Sequence, residues 1–323
     1  MVPQPLDQLD LRLLQALELD GRASFSRIAQ VLGVSDQTVA RRFRRLAGTV
    51  RLRVTGMTDD SRLGRDSWIV RLGCTPNVAE QLALALARRP DTQYVDLVSG
   101  GTEVMCAMLP RTRQERDDLL LERLQRIPRV TSVSAHCILH SFYGGPLGWL
   151  RKISALDPDE EAALRLPATA APAAPIVLEP TDEALLAALR RDGRAPLAEL
   201  CRATGQSEAV TRRHLERLRA SGVLYFAVEY DYEPLGHGVG AMCWLTVAPH
   251  ALARTGQALA EHPQVRFAGV VTGPANMAVF LVGRSSSDLY AYLSDRIGAL
   301  SGVQSAETAL ILRRVKTLTY LPH

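Results

Sequence analysis

The feature that most constrains this chain is an internal repeat. Leu6 to Leu46 aligns without a gap to Leu178 to Leu218, 172 positions later, with 15 of 41 residues identical. The offset persists beyond this stretch. Leu63-Gly64 falls on Leu235-Gly236, and after one inserted residue Gly100 falls on Gly273. Repeats of this length can each bury a core, so the expected architecture is two copies of a two-part module rather than a stack of short units.

In the first copy Leu9, Leu13, Leu14 and Leu17 recur at helical spacing, and Asp20-Gly21 marks a stop. A second short helix is predicted to carry Phe25, Ile28, Ala29 and Leu32 on one face. Gly33-Val34-Ser35 then forms a turn, with Gly33 free to take a positive φ and Ser35 placed to cap a third helix running to about Leu46. Three helices joined in this way make a helix-turn-helix. Beyond it the hydrophobic period becomes that of strands, and both copies read βαββαβ. The first runs Ser67 to Cys74, Asn77 to Arg88, Tyr94 to Ser99, Glu103 to Leu109, Gln114 to Arg126 and Val130 to Leu139. The second runs Val239 to Val247, Ala251 to Glu261, Val265 to Thr272, Ala275 to Val282, Ser287 to Leu300 and Val303 to Val315. This order folds most simply as an antiparallel sheet with two helices on one face, leaving the other face in need of cover.

The fold class is therefore α+β, with helix-turn-helix segments at 1–56 and 178–232, sheet domains at 62–143 and 236–318, and a linker at 144–177. Within the linker the PATAAPAAP tract, Pro167 to Pro175, reads as an extended spacer, and Asp157 to Leu166 reads as a short helix docked on one module. Five cysteines stand singly with no CxxC pair, which argues for buried thiols in a reducing compartment and against a disulfide framework or a zinc site. No leader pattern opens the chain and no apolar run approaches membrane-spanning length, so a cytoplasmic, nucleoid-associated protein without a membrane partner is expected.

The net charge of +4 is too small to identify a nucleic-acid partner, so that argument rests on where the arginines sit. With Val39, Phe43 and Leu46 turned inward, the third helix is expected to expose Gln37, Thr38, Arg41, Arg42 and Arg45, with Arg44 at its positive edge and Ser35 at its cap. Arginine reads guanine and glutamine reads adenine through two hydrogen bonds each. Arginines on an exposed helix are also commonly just solvated; the preceding turn and the duplicate copy favour double-stranded DNA. The second copy offers Ser207, Arg212, Arg213 and Arg217, but has Ala209 and Val210 in place of Gln37 and Thr38, and Glu216 in place of Arg44. It is either a reader of a different half-site or a copy retained for architecture.

Seven histidines raise the question of catalysis, but none has HExxH spacing, and neither a GxSxG elbow nor a phosphate loop is present. No catalytic residue, metal or cofactor is expected.

The LDxLDxRLLxALxxDGR opening, the helix-turn-helix, GVLYFAVEYDYEPLG from Gly222 to Gly236 and the βαββαβ order together resemble the Lrp/AsnC family of bacterial transcriptional regulators, in both halves of the chain. The resemblance implies winged helix-turn-helix domains followed by ferredoxin-like domains that pair sheet to sheet, and a homodimer or homotetramer formed through them. It also implies a small effector, commonly an amino acid, held where those domains meet. The family's hairpin between the second and third strands has a glycine and, three residues on, an aspartate. Here the corresponding runs are Gly100-Gly101-Thr102-Glu103 and Gly273-Pro274-Ala275-Asn276, so the implied effector residues are Gly100, Thr102, Glu103, Thr272, Gly273 and Asn276. Asn276 cannot supply the charge that Glu103 can. The first copy also departs after its third helix, where Gly48-Thr49-Val50-Arg51 replaces the usual start of the strand. Two alternatives stay open: a siroheme-decarboxylase-like enzyme on the same fold, with His136 and His140 as its histidines, and a DNA-organising protein of low sequence choice.

Overall fold

The computed structural model describes residues 6–145, 152, 154–167 and 174–318. The first repeat contains α1 (Gln8–Leu19), α2 (Phe25–Leu32), α3 (Asp36–Thr49), β1 (Arg53–Thr58), β2 (Trp68–Cys74), α4 (Pro76–Ala87), β3 (Thr92–Val98), β4 (Glu103–Met108), α5 (Arg113–Asp117) and β5 (Val130–Tyr143). The linker holds α6 (Pro158–Leu164). The second repeat contains α7 (Pro180–Arg191), α8 (Leu197–Thr204), α9 (Glu208–Ala220), β6 (Leu224–Glu229), β7 (Val239–Val247), α10 (Leu252–Glu261), β8 (Val265–Val271), β9 (Met277–Gly283), α11 (Ser286–Ala291) and β10 (Val303–Lys316). These elements gather into two units that each draw on both repeats: Met1–Gly64 with Gly145–Leu235, and Arg65–Gly144 with Gly236–His323.

The first unit holds both helix-turn-helix segments. Asp7 and Asp10 cap α1 reciprocally, each carboxylate accepting from the other's backbone N–H at 2.9–3.0 Å. Leu13, Leu14 and Leu17 are buried, worth about 1.5–3 kcal/mol each relative to exposure. Gly33 ends α2 at φ +68, and Ser35 caps α3 by accepting from the Thr38 N–H. After α3 the backbone turns at Arg51, a non-glycine residue at φ +55, whereas Gly222 at φ +70 makes the turn after α9. This is the unusual connection expected from the sequence. Strands β1 and β6 form a two-stranded antiparallel ribbon with Arg53 opposite Glu229 and Thr58 opposite Leu224. The linker helix α6 and the residues before it pack on α1 and α2: Gln15 accepts from the Ala155 and Leu156 N–H groups, Arg12 pairs with Glu160, and Arg27 donates to the Ala163 carbonyl at 2.7 Å. Most of the proline-alanine tract lies outside the described residues.

In the second unit each βαββαβ segment makes a four-stranded sheet, ordered β5-β2-β4-β3 and β10-β7-β9-β8, which is the ferredoxin-like order. The last strand of each segment exceeds its predicted length because it pairs twice. Residues Val130 to Cys137 of β5 run beside β2, and Ile138 to Tyr143 run beside β8. Likewise β10 pairs with β7 through Leu310 and with β3 from Ile311. These crossings close the two sheets into an eight-stranded barrel. Helices cover the outer faces over Val70, Leu72 and Val104 on one side and Cys243, Leu245 and Val279 on the other. The inner faces meet through Ile69, Val98, Met105, Met242, Trp244, Val271 and Ala278. The predicted second helix of each segment is instead a short α-helix that widens into a π turn, Asp118–Arg123 and Tyr292–Ile297. Among the described residues no helix is long and apolar enough to cross a membrane.

Candidate nucleic-acid interface

The third helix is held by its inner face. Val39 and Leu46 are buried, while Phe43 is half-buried and stacks on Phe25 with ring centroids 5.4 Å apart. Gln37, Arg41 and Arg44 are exposed. Arg41 has no ion-pair partner among the described residues. Ser35 and Thr38 are half committed to the cap, their hydroxyls 2.9 Å apart.

The expectation that Arg42 and Arg45 face outward is corrected by the acids of α1. Arg42 donates to Asp7 at 2.6 Å and to Asp10 at 2.9 Å, and Arg45 also donates to Asp10. The Asp10 side chain is 0% exposed, and a buried carboxylate requires such partners. The hydrogen bond that Arg42 donates to Asp7 raises the Arg42 pKa against the opposing effect of burial. Asp7 itself, although partial burial pushes it up, is held below its usual range by the Arg42 hydrogen bond.

The second copy repeats this lock with different chemistry. His214 Nδ1 lies 2.7 Å from Asp182 Oδ1, and Arg217 donates to the other carboxylate oxygen. Desolvation raises the Asp182 pKa, but hydrogen bonds from the Glu179 N–H, His214 and Arg217 outweigh it and the net shift is downward. Arg217 is therefore also turned inward. Arg213 is exposed, and Arg212 is exposed but paired with Glu208 at 2.6 Å, an i,i+4 bridge worth only about 0.3–0.5 kcal/mol. Ser207 caps α9.

The two helix-turn-helix segments are joined by residues to which the hydrophobic pattern assigns no role. Arg22 donates to the Gly193 and Ala195 carbonyls at 2.6 and 3.0 Å, and Arg194 donates to the Gly21 and Ala23 carbonyls at 2.6 and 2.9 Å. The exchange is reciprocal, and each arginine belongs to an Asp-Gly-Arg-Ala run present in both copies. The glycines permit the approach: a Cβ on Gly193 would lie 2.8 Å from the Val54 carbonyl oxygen, and one on Gly21 would lie 2.7 Å from Phe226. Desolvation lowers the pKa of both arginines, reinforced by repulsion from Arg219 at Arg22 and from Arg22 at Arg194. Arg194 also covers Phe25 at 4.7 Å, a cation–π contact that ties the clamp to the first helix-turn-helix. The identity of the two runs was the signal available in the sequence.

In the barrel unit the two hairpins differ. Gly100 and Gly101 have φ +72 and +82 and open space beside them. Thr102 donates to the Ser99 carbonyl. Glu103 receives Arg71 at 2.5 Å, and Arg71 also donates to Glu307 at 2.6 Å. Burial lowers the Arg71 pKa, but its bonds to these two carboxylates more than reverse that, and one guanidinium between two carboxylates leaves a net negative charge. Around the second hairpin, Thr272 Oγ1 accepts from the Cys137 N–H, and the Thr272 carbonyl accepts from His136 Nδ1 at 2.7 Å. A Cβ on Gly273 would meet that nitrogen at 2.5 Å. Asn276 spends its amide on the Val247 backbone, accepting at 2.9 Å and donating at 2.7 Å. A separate cleft of about 370 Å³, lined by residues including His237, Arg284, Tyr292 and Arg296, contains none of the six hairpin residues.

His136 is 6% exposed and packs on Trp244, with ring centroids 4.8 Å apart; His140 is exposed on the same strand. Among the described residues no group of three or more His, Cys, Asp or Glu side chains could hold a metal ion.

Comparison with known proteins finds three family matches: an AsnC-type helix-turn-helix domain at residues 6–47, a winged helix-turn-helix DNA-binding domain at 178–225 and an Lrp/AsnC ligand binding domain at 240–321. The HTH-type transcriptional regulator FL11 of Pyrococcus horikoshii is 30% identical over 148 residues, spanning 46% of this chain and 97% of that protein. The regulator LrpA from the same organism is 24% identical over 141 residues, 43% of this chain and 100% of that protein. Among solved structures, the siroheme decarboxylase NirDL shares the fold across 96% of this chain and 93% of its own, with TM-score 0.65 and 14% identity.

Proposed function

Because the chain belongs to the Lrp/AsnC family, we propose that it is a sequence-specific DNA-binding transcriptional regulator carrying two fused copies of that family's module. The observation that carries this reading is the capped α3 with Gln37, Arg41 and Arg44 exposed, within a matched AsnC-type helix-turn-helix. Fusion of two modules is supported by the second helix-turn-helix match and by the shared strand order of the two sheets. Ser35, Thr38 and Ser207 contribute caps at the duplex, while Gln37, Arg41, Arg44, Arg212 and Arg213 supply contacts to bases and phosphates. Arg42, Arg45 and Arg217 act as positioning residues that hold the reader helices. Selection of bound DNA from a random pool by the full chain tests the reading. A recovered motif that weakens with Arg41→Ala supports it, whereas tight binding without a motif supports a DNA-organising protein.

The effector is an amino acid or related ammonium compound, bound at one hairpin per chain. Support comes from the open Gly100-Gly101 turn and the negative balance of Glu103, Glu307 and Arg71, together with the internal bonds that occupy Thr272 and Asn276. Larger assemblies use surfaces outside the barrel, since the inner sheet faces already cover each other within one chain.

A second reading, decarboxylation of a tetrapyrrole, is favoured by the whole-length likeness to NirDL. Against it, His136 is enclosed against Trp244 rather than lining an open cleft. An iron porphyrin that acquires a new absorbance band with the wild-type chain and not with His136→Ala would favour this reading.

A further inference from the structure

We propose that one chain reads an asymmetric DNA site, two unlike half-sites that share a guanine and differ beside it. The proposal rests on the regulator reading above and specifies its partner. Both readers belong to one unit, joined by the β1–β6 ribbon and the reciprocal Arg22 and Arg194 clamps. A single chain therefore presents a pair of helices without a second copy. Two-fold related readers select half-sites about one helical turn apart, or a multiple of it, and a palindrome follows only when the readers are identical.

Here the inward positions agree and the outward ones do not. The lock to the first helix is kept in both, by Arg42 and Arg45 on Asp10 and by His214 and Arg217 on Asp182. Among outward residues only Arg41 and Arg213 correspond, and each is exposed with no ion-pair partner among the described residues. A guanine at the same place in each half fits this pair. Beside it α3 offers Gln37 and Arg44, suited to adenine and to a phosphate or second guanine. At those positions α9 offers Ala209 and Glu216, with Val210 in place of Thr38. A methyl-bearing surface favours the thymine methyl group, and a carboxylate accepts from the cytosine amine while repelling phosphate. The outer face of α3 carries the exposed Arg41 and Arg44 against Asp36; that of α9 carries Arg212 and Arg213 against Glu208 and Glu216. The first half-site accordingly contributes more phosphate binding and more base choice.

The test is selection from a random duplex pool by three full-length proteins. They are the wild type, a graft of α3 onto α9 (Ala209→Gln, Val210→Thr, Arg212→Ala, Glu216→Arg) and the reverse weakening of α3 (Gln37→Ala, Arg44→Glu). These positions lie at or near the surface, and unchanged melting curves verify the fold. The wild type is expected to return a two-part motif with unlike halves, the graft a palindrome of the first half, and the third protein a motif whose first half keeps the guanine read by Arg41 but loses the choice beside it. Swapping the halves' distinguishing base pairs should cost about 5- to 150-fold in affinity at each position. A palindromic wild-type motif, or a graft that leaves the motif unchanged, overturns the asymmetric site while leaving the regulator intact. Binding with no motif at all overturns both.

Discussion

The exposed Arg41 and Arg213 and the acid-held Arg45 are predicted to fail differently. Arg41→Ala or Arg213→Ala should lose about 1–3 kcal/mol of DNA affinity and relax choice at one base pair, with no change in folding, measured by anisotropy on matched and mismatched duplexes. Arg45→Ala leaves part of the buried Asp10 carboxylate unsatisfied, and should instead destabilise the fold by about 1–3 kcal/mol in urea while leaving base preference unchanged. Asp182 supplies a pH signature. Its pKa is lower in the fold than the ordinary 3.8, so its stabilising contribution is full above that value and is lost as pH falls through the depressed folded pKa. The urea midpoint of the wild type should therefore drop on acidification below about pH 4 more steeply than that of Asp182→Asn, which lacks the titration. Sequence periodicity assigned Val39 and Leu46 to the core correctly. It misplaced Arg42, Arg45 and Arg217, because a helical wheel shows which way a side chain starts and not where a long guanidinium ends once a buried acid lies within reach.

At the scale of elements, most segments were legible because each has its own start and stop chemistry. Ser35 and Gly33 bracket the turn before α3, and a nearly continuous apolar run marks β7 from Val239 to Val247. Less legible were the pieces whose form depends on a distant partner. The ribbon of β1 and β6 requires strands from both repeats, and β5 and β10 gain their extra residues by pairing across to the other sheet. The close approach of Gly193 to Val54 yields a direct prediction. Gly193→Ala places a methyl group 2.8 Å from a carbonyl oxygen and should cost about 1–3 kcal/mol of stability, read from the denaturation midpoint. Arg22→Ala together with Arg194→Ala should keep each reader folded yet weaken binding to a two-part site far more than binding to an isolated half-site. A pair that lost affinity equally on both duplexes would show that the clamps do not couple the readers.

For the whole molecule, two repeats do not make two halves. Their parts are exchanged so that helix-turn-helix segments gather in one unit and sheets in another. The repeats differ at both candidate sites: α3 exposes Gln37, Arg41 and Arg44 where α9 pairs Arg212 with Glu208, and Glu103 is bonded to Arg71 where Asn276 is bonded to the Val247 backbone. Calorimetric titration with a panel of amino acids is expected to show one site per chain, weakened by Glu103→Gln and unaffected by Asn276→Ala. Two equal sites per chain would contradict the single-hairpin reading.

The sequence by itself determined the local elements, the repeat, and the presence of a capped helix rich in arginine, because caps, turns and hydrophobic periods act over a few residues. Only the tertiary structure decided which arginines remain free for a partner and which are held by Asp10 and Asp182, and that Gly21 and Gly193 serve as contact points between repeats. Those outcomes depend on groups more than thirty residues apart along the chain, whose electrostatic pairing and close packing exist only once the fold brings them together.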